Sequence, residues 1–234
     1  MKPSIVLIPG LAADASTWTA QLEVFPGALV SDVHFRNDTL PAMAAALLAE
    51  HEGGLVLCGA SMGGMVALEC QRQAPERVHG LALLGSSARP DTPEIAALRA
   101  NAFEMIDAGR FDEMIAMNVP FSFHADRLAE RELTQAYVDM LLRAGAAQLV
   151  RQNLAVAARP DSRPLLPAVA CPTLVLCGDA DLVTPLEHSR EIAAAVPGAE
   201  LVVIERCGHM LTMERPDEVN AALRRWLAAL GATR

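Results

Sequence analysis

Leu55 to Gly64 reads LVLCGASMGG, and no other stretch limits the possible fold as much. Leu55–Cys58 is an unbroken apolar run of strand length. A helical pattern, Met65–Cys70, starts after only Gly59-Ala60-Ser61-Met62-Gly63-Gly64, so a buried strand must turn into a helix within a few residues. The spacing Gly59-x-Ser61-x-Gly63 removes bulk on both sides of one serine, which lets strand and helix pack past a strained backbone there. The serine hydroxyl then projects from the carboxyl end of a sheet at the amino end of a helix, where free N–H groups favour developing negative charge. The same glycines could also do no more than tighten a turn, so the rest of the chain has to decide between the two.

The chain repeats this strand-then-helix rhythm. Ser4–Ile8 reads as a buried strand opening into Pro9-Gly10-Leu11. Ala13–Leu22 reads as a helix with Asp14 or Ser16 as its cap and Trp18 facing inward. A strand over Ala28–His34 and an Ala/Leu-rich helix over Leu40–His51 follow, then the Leu55–Cys58 strand, a helix over Met62–Gln73 and a strand over Val78–Leu84. From Arg89 to about Pro167 no apolar β-run occurs, and helices are expected over Thr92–Ala108, Phe111–Met117, Ala125–Ala144 and Ala146–Ala158. Alternation resumes with a strand at Thr173–Cys177, a helix at Pro185–Ala195, a strand at Glu200–Ile204 and a helix at Asp217–Leu230. This order predicts an α/β fold: a mostly parallel sheet of about six strands, covered on both faces, with a helical insertion. The core is expected over 1–88 and 168–234, and the insertion over 89–167.

Composition narrows the function. With 28 acidic against 19 basic residues and a net charge of -9, and without any basic run, the chain has no electrostatic footprint for nucleic acid. The apolar run after Lys2 is too short for an export signal and no other run approaches membrane-spanning length, so a cytoplasmic protein without a membrane partner is expected. Cys58, Cys70, Cys171, Cys177 and Cys207 lack metal-ligand spacing and read as reduced structural thiols, with no metal implied.

Ser61, Asp181 and His209 each lie a few residues beyond a predicted strand. In a parallel sheet the loops at the carboxyl ends share one crevice, so three strands bring a hydroxyl, a carboxylate and an imidazole to one edge. An imidazole can take the proton from an attacking serine, and a carboxylate can fix its tautomer and stabilise its cation. Asp179 is also in that loop and reads more simply as a turn cap. The remaining histidines, His34, His51, His79, His124 and His188, lack this placement and read as surface or helix-face residues.

Over almost its whole length the chain resembles the α/β-hydrolase superfamily, in the group of small capped serine hydrolases. The matches are PGLAADASTW from Pro9, GASMGG from Gly59, GDADLVTP from Gly178 and CGHM from Cys207, in that order. The resemblance implies a Ser61–His209–Asp181 triad, since the family's acid spacing selects Asp181 over Asp179. It also implies an oxyanion hole from the backbone N–H groups of Leu11 and Met62. Many relatives have His-Gly where this chain has Pro9-Gly10. The insertion falls where the family's cap enters, and a cap would roof the crevice over a small-molecule substrate.

Met114, Met117, Phe121 and Phe123 could line that pocket or simply hold the helices together, and Trp18 could border it or pack on the sheet. Arg143, Arg151 and Gln152 are polar cap residues able to orient a substrate carboxylate. The expected activity is hydrolysis of a small, mostly apolar ester or lactone through an acyl-enzyme, without a cofactor. Alternatives on the same scaffold are carbon–carbon bond hydrolysis, lyase or perhydrolase chemistry, or a ligand-sensing receptor.

Overall fold

Alternating side chains along the strands dictate the layers. The computed structural model describes residues 2–231, so the outer limits of the expected core span, residue 1 and residues 232–234, lie outside it. Six parallel strands form one sheet: β1 (Ser4–Ile8), β2 (Leu29–Val30), β3 (Leu55–Ala60), β4 (Val78–Leu84), β5 (Thr173–Gly178) and β6 (Glu200–Ile204), in the order β2-β1-β3-β4-β5-β6. Val6, Ile8, Leu55, Leu57, Leu81 and Leu83 point to one face. There they pack with Met43 and Leu47 of α2 (Leu40–Glu50), Val66 and Cys70 of α3 (Met62–Gln73) and Ile192 of α8 (Leu186–Ala195). Their neighbours Leu7, Val56, Cys58, Ala82 and Leu84 point the other way, against Trp18, Phe25 and the Val219, Leu223, Trp226 and Leu227 stripe of α10 (Pro216–Ala229).

The direction of chain travel reverses at β1. The first crossover leads outward to β2, and the next jumps back over β1 to β3, leaving a crevice beyond the carboxyl ends of β1 and β3. Gly10 and Ser61 face each other across it.

Between β4 and β5 the chain runs through α4 (Pro93–Asp107), α5 (Phe111–Ser122), α6 (Arg131–Ala144) and α7 (Ala146–Ala157). Met105, Met114, Ile115, Phe123, Tyr137, Met140, Leu141 and Leu149 form a third apolar cluster with Ala12 and Ala13 of the loop after β1, and Leu11 and Met210 pack against it. Polar ties hold the base of this excursion. Half-buried Asp91 binds Arg99 at 2.6 Å and Arg159 at 2.7 Å, joining α4 to the end of α7, and Ser162 N–H donates to Ala88 C=O at 2.9 Å.

Several expected elements are shorter or divided. Instead of a strand over Ala28–His34, β2 keeps only two residues, and a 3₁₀ turn follows at Val33–Phe35, because buried His34 turns inward to the Ala13 carbonyl, 2.8 Å from Nε2. Instead of one helix over Ala13–Leu22, a 3₁₀ turn at Ala15–Trp18 leads into α1 (Thr19–Val24). The Asp14 carboxylate accepts from Ser16 N–H at 2.9 Å and starts that turn. The helix expected over Ala125–Ala144 divides into a turn at Ala125–Arg127, opened by the His124 side chain, and α6. Conversely, α5 runs past Met117 and through Pro120 to Ser122. A further short helix, α9 (Leu211–Glu214), lies directly after His209.

The close approach of α3 to the sheet depends on missing side chains. A Cβ on Gly63 would lie 2.1 Å from the Ile8 carbonyl oxygen, and one on Gly59 would lie 2.3 Å from that of Gly63. We therefore expect Gly63→Ala to destabilise the protein by about 3 kcal/mol, since the contact is backbone on backbone and no rotamer relieves it. Urea denaturation checks this, and an unchanged midpoint would show that β1 and α3 can separate freely.

Candidate active site

Ser61 ends β3 in a conformation that side-chain-bearing residues rarely adopt, φ 52° and ψ −117°, and α3 starts at the next residue. Its backbone is gripped from both sides: Ser61 N–H donates to Leu84 C=O at 2.8 Å, and its own carbonyl accepts from Gly64 N–H at 3.0 Å and from the buried Ser86 hydroxyl at 2.8 Å. These bonds hold the turn and leave the serine side chain outside the helix hydrogen-bond pattern. Ser61 Oγ lies 3.0 Å from His209 Nε2, and His209 Nδ1 lies 2.9 Å from Asp181 Oδ2.

The carboxylate is held in turn. Asp181 Oδ1 accepts from the N–H groups of Val183 at 2.9 Å and Thr184 at 2.8 Å, and Oδ2 also accepts from the Thr184 hydroxyl at 2.9 Å. Thus one oxygen is committed to the loop backbone and the other faces the imidazole. Burial alone would raise this carboxyl's pKa, but the His209 charge and hydrogen bond, with the Thr184 bonds, hold it below the usual carboxylate range. For His209, burial alone would lower the pKa, yet the Asp181 charge and hydrogen bond, supported by Glu214, raise it above the ordinary histidine value. The imidazole is thereby a stronger base, with its Nδ1–H directed at the carboxylate and Nε2 left to the serine.

The histidine loop is anchored at several points. Ser122, the last residue of α5, accepts at its carbonyl from the N–H groups of both His209 at 3.0 Å and Met210 at 3.1 Å. The buried Glu214 carboxylate accepts from Gly208 N–H at 3.0 Å and His124 N–H at 2.9 Å. Asp179 Oδ1 accepts from Cys207 N–H at 3.1 Å, so Asp179 ties the acid loop to the histidine loop, while the bond to the imidazole is made by Asp181. The crevice wall opposite is the loop after β1. A Cβ on Gly10 would lie 3.3 Å from Ser61 Cβ, which shows how closely that loop passes the serine. Among the described residues, neither Leu11 N–H nor Met62 N–H donates to a protein acceptor.

Several expected pocket residues are elsewhere engaged. Trp18 is fully buried in the layer between the sheet and α10, so it packs and does not border a pocket. The Arg151 guanidinium binds the Phe35 carbonyl, the Gln148 side chain and Asp38 at 3.2 Å, fastening α7 to the turn after β2. Arg143 pairs with Asp14 at 2.9 Å, and Gln152 is fully buried, with both ends of its amide bonded to the protein. Met114 and Phe123 belong to the third apolar cluster, which touches Leu11 and Met210, whereas Met117 and Phe121 are exposed on α5. His34 is buried, not on the surface as its position suggested, and the desolvation that accompanies burial lowers its pKa.

Thr184, Glu214 and the Ser122 carbonyl escaped sequence reasoning. Only Thr184 carried a local signal, since a threonine three residues after an aspartate is a common way to close a polar turn. The thiols are free, and burial pushes Cys58 and Cys70 up to about 12, which keeps them protonated. Among the described residues no group of three or more His, Cys, Asp or Glu is placed to hold a metal ion, and no helix is long and apolar enough to cross a membrane.

Comparison with known proteins agrees with this geometry. A model of the alpha/beta hydrolase family matches residues 5–222. The chain is 30% identical to a pimeloyl-[acyl-carrier protein] methyl ester esterase of Stenotrophomonas maltophilia, over 97% of this chain and 94% of that one. Among solved structures, a thermophilic esterase from Thermogutta terrifontis superposes with a TM-score of 0.87 at 31% identity, covering 97% of this chain and 90% of that one. An enol-lactonase from Burkholderia xenovorans LB400 shares the fold, with a TM-score of 0.85 at 23% identity over 97% and 92% of the two chains. With the parallel sheet, the sharp turn at Ser61 and a family match over most of its length, this chain belongs to the α/β-hydrolase family and is an enzyme of that family.

Proposed function

We propose that the protein is a serine hydrolase that cleaves a small, mostly apolar carboxylic ester or lactone through an acyl-enzyme, without a cofactor. The observation that carries this reading is the continuous hydrogen-bonded line from Ser61 Oγ through His209 to Asp181, 3.0 Å and 2.9 Å long in its two steps. Ser61 attacks the carbonyl carbon as its proton passes to His209 Nε2, and Asp181 stabilises the imidazolium that forms. His209 then gives the proton to the departing alkoxide, leaving an acyl-serine. A water deprotonated by His209 attacks the acyl-serine, and as the second tetrahedral intermediate collapses His209 returns the proton to Ser61 Oγ, releasing the acid and restoring the relay.

The oxyanion of each tetrahedral intermediate is stabilised by the N–H groups of Leu11 and Met62, which among the described residues have no protein acceptor to give up; each such donor typically contributes about 3–4 kcal/mol. Residues 89–167 act as the cap: their third apolar cluster roofs Leu11 and Met210, which favours an apolar acyl or alcohol group and excludes water from the reacting centre. The esterase names of the relatives at 30% and 31% identity support ester cleavage.

Ser61→Ala tests the nucleophile. On short-chain p-nitrophenyl esters kcat is expected to fall by at least about 10⁴-fold, with loss of fluorophosphonate labelling, which the protonated, buried Cys58 and Cys70 cannot replace. Undiminished turnover would reject the assignment. Tight ligand binding with negligible turnover by the unaltered protein would instead favour a sensor.

The raised His209 pKa fixes two pH trends of opposite sign. Activity needs the neutral imidazole, so the acid limb of the kcat/KM profile is expected above 6.5, the ordinary histidine value. The protonated pair stabilises the fold, and that contribution is fully present below 6.5 and is lost as pH rises through the folded-state value. Asp181→Asn should shift the acid limb downward and lower kcat on the order of 10³–10⁴-fold. A limb that stays in place in this variant would show that Asp181 does not set the base.

A further inference from the structure

The loop that carries Leu11 is tied to the helical insertion at two points, Arg143 at Asp14 and Gln152 at Ala12, and of these Gln152 bonds the backbone next to Leu11. Gln152 of α7 has no solvent exposure, and both ends of its amide cross from the cap to the core. Its Oε1 accepts from Ala12 N–H at 2.5 Å, and its Nε2 donates to the His34 carbonyl at 2.9 Å. The His34 ring returns to the same loop, its Nε2 lying 2.8 Å from the Ala13 carbonyl, which as an acceptor assigns the proton to that nitrogen. Ala12 itself adopts φ 55°, a left-handed conformation that costs an alanine about 1 kcal/mol or more and persists only where the surroundings hold it. The residue immediately before it is Leu11, whose own N–H lies one peptide plane earlier, so fixing the Leu11–Ala12 plane and the Ala12 φ limits how that donor can turn.

We infer that Gln152 is a positioning residue: by accepting from Ala12 N–H it holds the strained loop so that Leu11 N–H faces the oxyanion, and it thereby makes a complete oxyanion hole depend on a seated cap. This rests on the reading of Ser61 as nucleophile and Leu11 as an oxyanion donor. The amide is suited to the task because it offers one acceptor to Ala12 and one donor to His34 and carries no charge, so it can be buried without a counter-ion. An apolar side chain of the same length would fill the space and leave Ala12 N–H buried without an acceptor, and the loop would then relax away from the left-handed conformation. Two further α7 side chains, Gln148 and Arg151, bind the carbonyls of His34 and Phe35, so they seat the same helix without touching the loop after β1.

That difference supplies the control. Gln152→Met and Gln148→Met each remove one α7 bond to the His34 carbonyl, but only the first removes the acceptor for Ala12. The readouts are kcat and KM on a short-chain p-nitrophenyl ester, and the inhibition constant of an alkyl trifluoromethyl ketone, which forms a tetrahedral adduct on the nucleophile with an oxyanion. Loss of a whole oxyanion donor costs about 10²–10³-fold in kcat, so a misdirected one is expected to cost about 10–100-fold.

Gln152→Met should therefore lower kcat by that factor with KM within about threefold, and weaken the ketone to the same extent, because the interaction exists only with the tetrahedral species. Gln148→Met should leave both within about threefold. Gln152→Glu keeps an acceptor oxygen and should recover part of the loss; it also provides the comparison if the methionine variant does not fold. Equal losses in the Gln148 and Gln152 variants, or an inhibition constant unchanged by Gln152→Met, would overturn the inference. Retained turnover in Ser61→Ala would overturn the underlying reading instead, so the two failures are separable.

Discussion

Everything at the site depends on the backbone at Ser61 being held at a positive φ between β3 and α3. A side-chain-bearing residue adopts that conformation only when its surroundings leave no alternative, and here the surroundings are other backbones. Gly63 lets α3 press on the end of β1, Gly59 lets β3 pass under α3, and Leu84 and Ser86 bind the serine's own peptide groups. The elbow is thus a product of packing in the centre of the sheet, where β1, β3 and β4 are each flanked on both edges. The geometry of the serine and the stability of the fold are coupled there, because whatever loosens the sheet's centre also releases the turn at Ser61.

The imidazole is placed by a different kind of force. Its loop follows the short edge strand β6, and polar bonds hold it beside the apolar packing of Cys207 and Met210: the Ser122 carbonyl, the Glu214 carboxylate, and Asp179 at Cys207. Glu214 is costly to bury, and burial pushes its pKa upward against the two N–H groups that bind it. That cost is offset by tethering Gly208, next to His209, to His124 in the segment between β4 and β5.

Much of this was legible in the sequence because it follows from local pattern. Apolar runs located five of the six strands to within two residues at each end, and the placement of Ser61, Asp181 and His209 beyond strand ends implied a shared edge before any distance was known. What could not be read depends on direction in space. Trp18 faces inward as its pattern suggests, but the layer it enters is the one under α10 and not the crevice. Arg151 and Gln152 lie one residue apart on α7, and both looked available to a substrate. One reaches a turn beside β2 and the other a strained peptide beside Leu11, because the helix presents neighbouring residues about 100° apart and the core beneath it differs on each side. The short β2 has the same cause: Val33 and His34 have strand-like neighbours, but a buried ring bonded to Ala13 bends the chain out of the sheet.

The double acceptance at the Ser122 carbonyl has a consequence for how a reactant enters. The end of α5 and the peptide units on either side of the His209–Met210 bond share one oxygen, so lifting that end of the helical layer as a rigid door would strip the imidazole's own support along with it. Any opening of the crevice that keeps the Ser61–His209–Asp181 line intact therefore leaves this end of α5 in place and moves side chains or other helices instead.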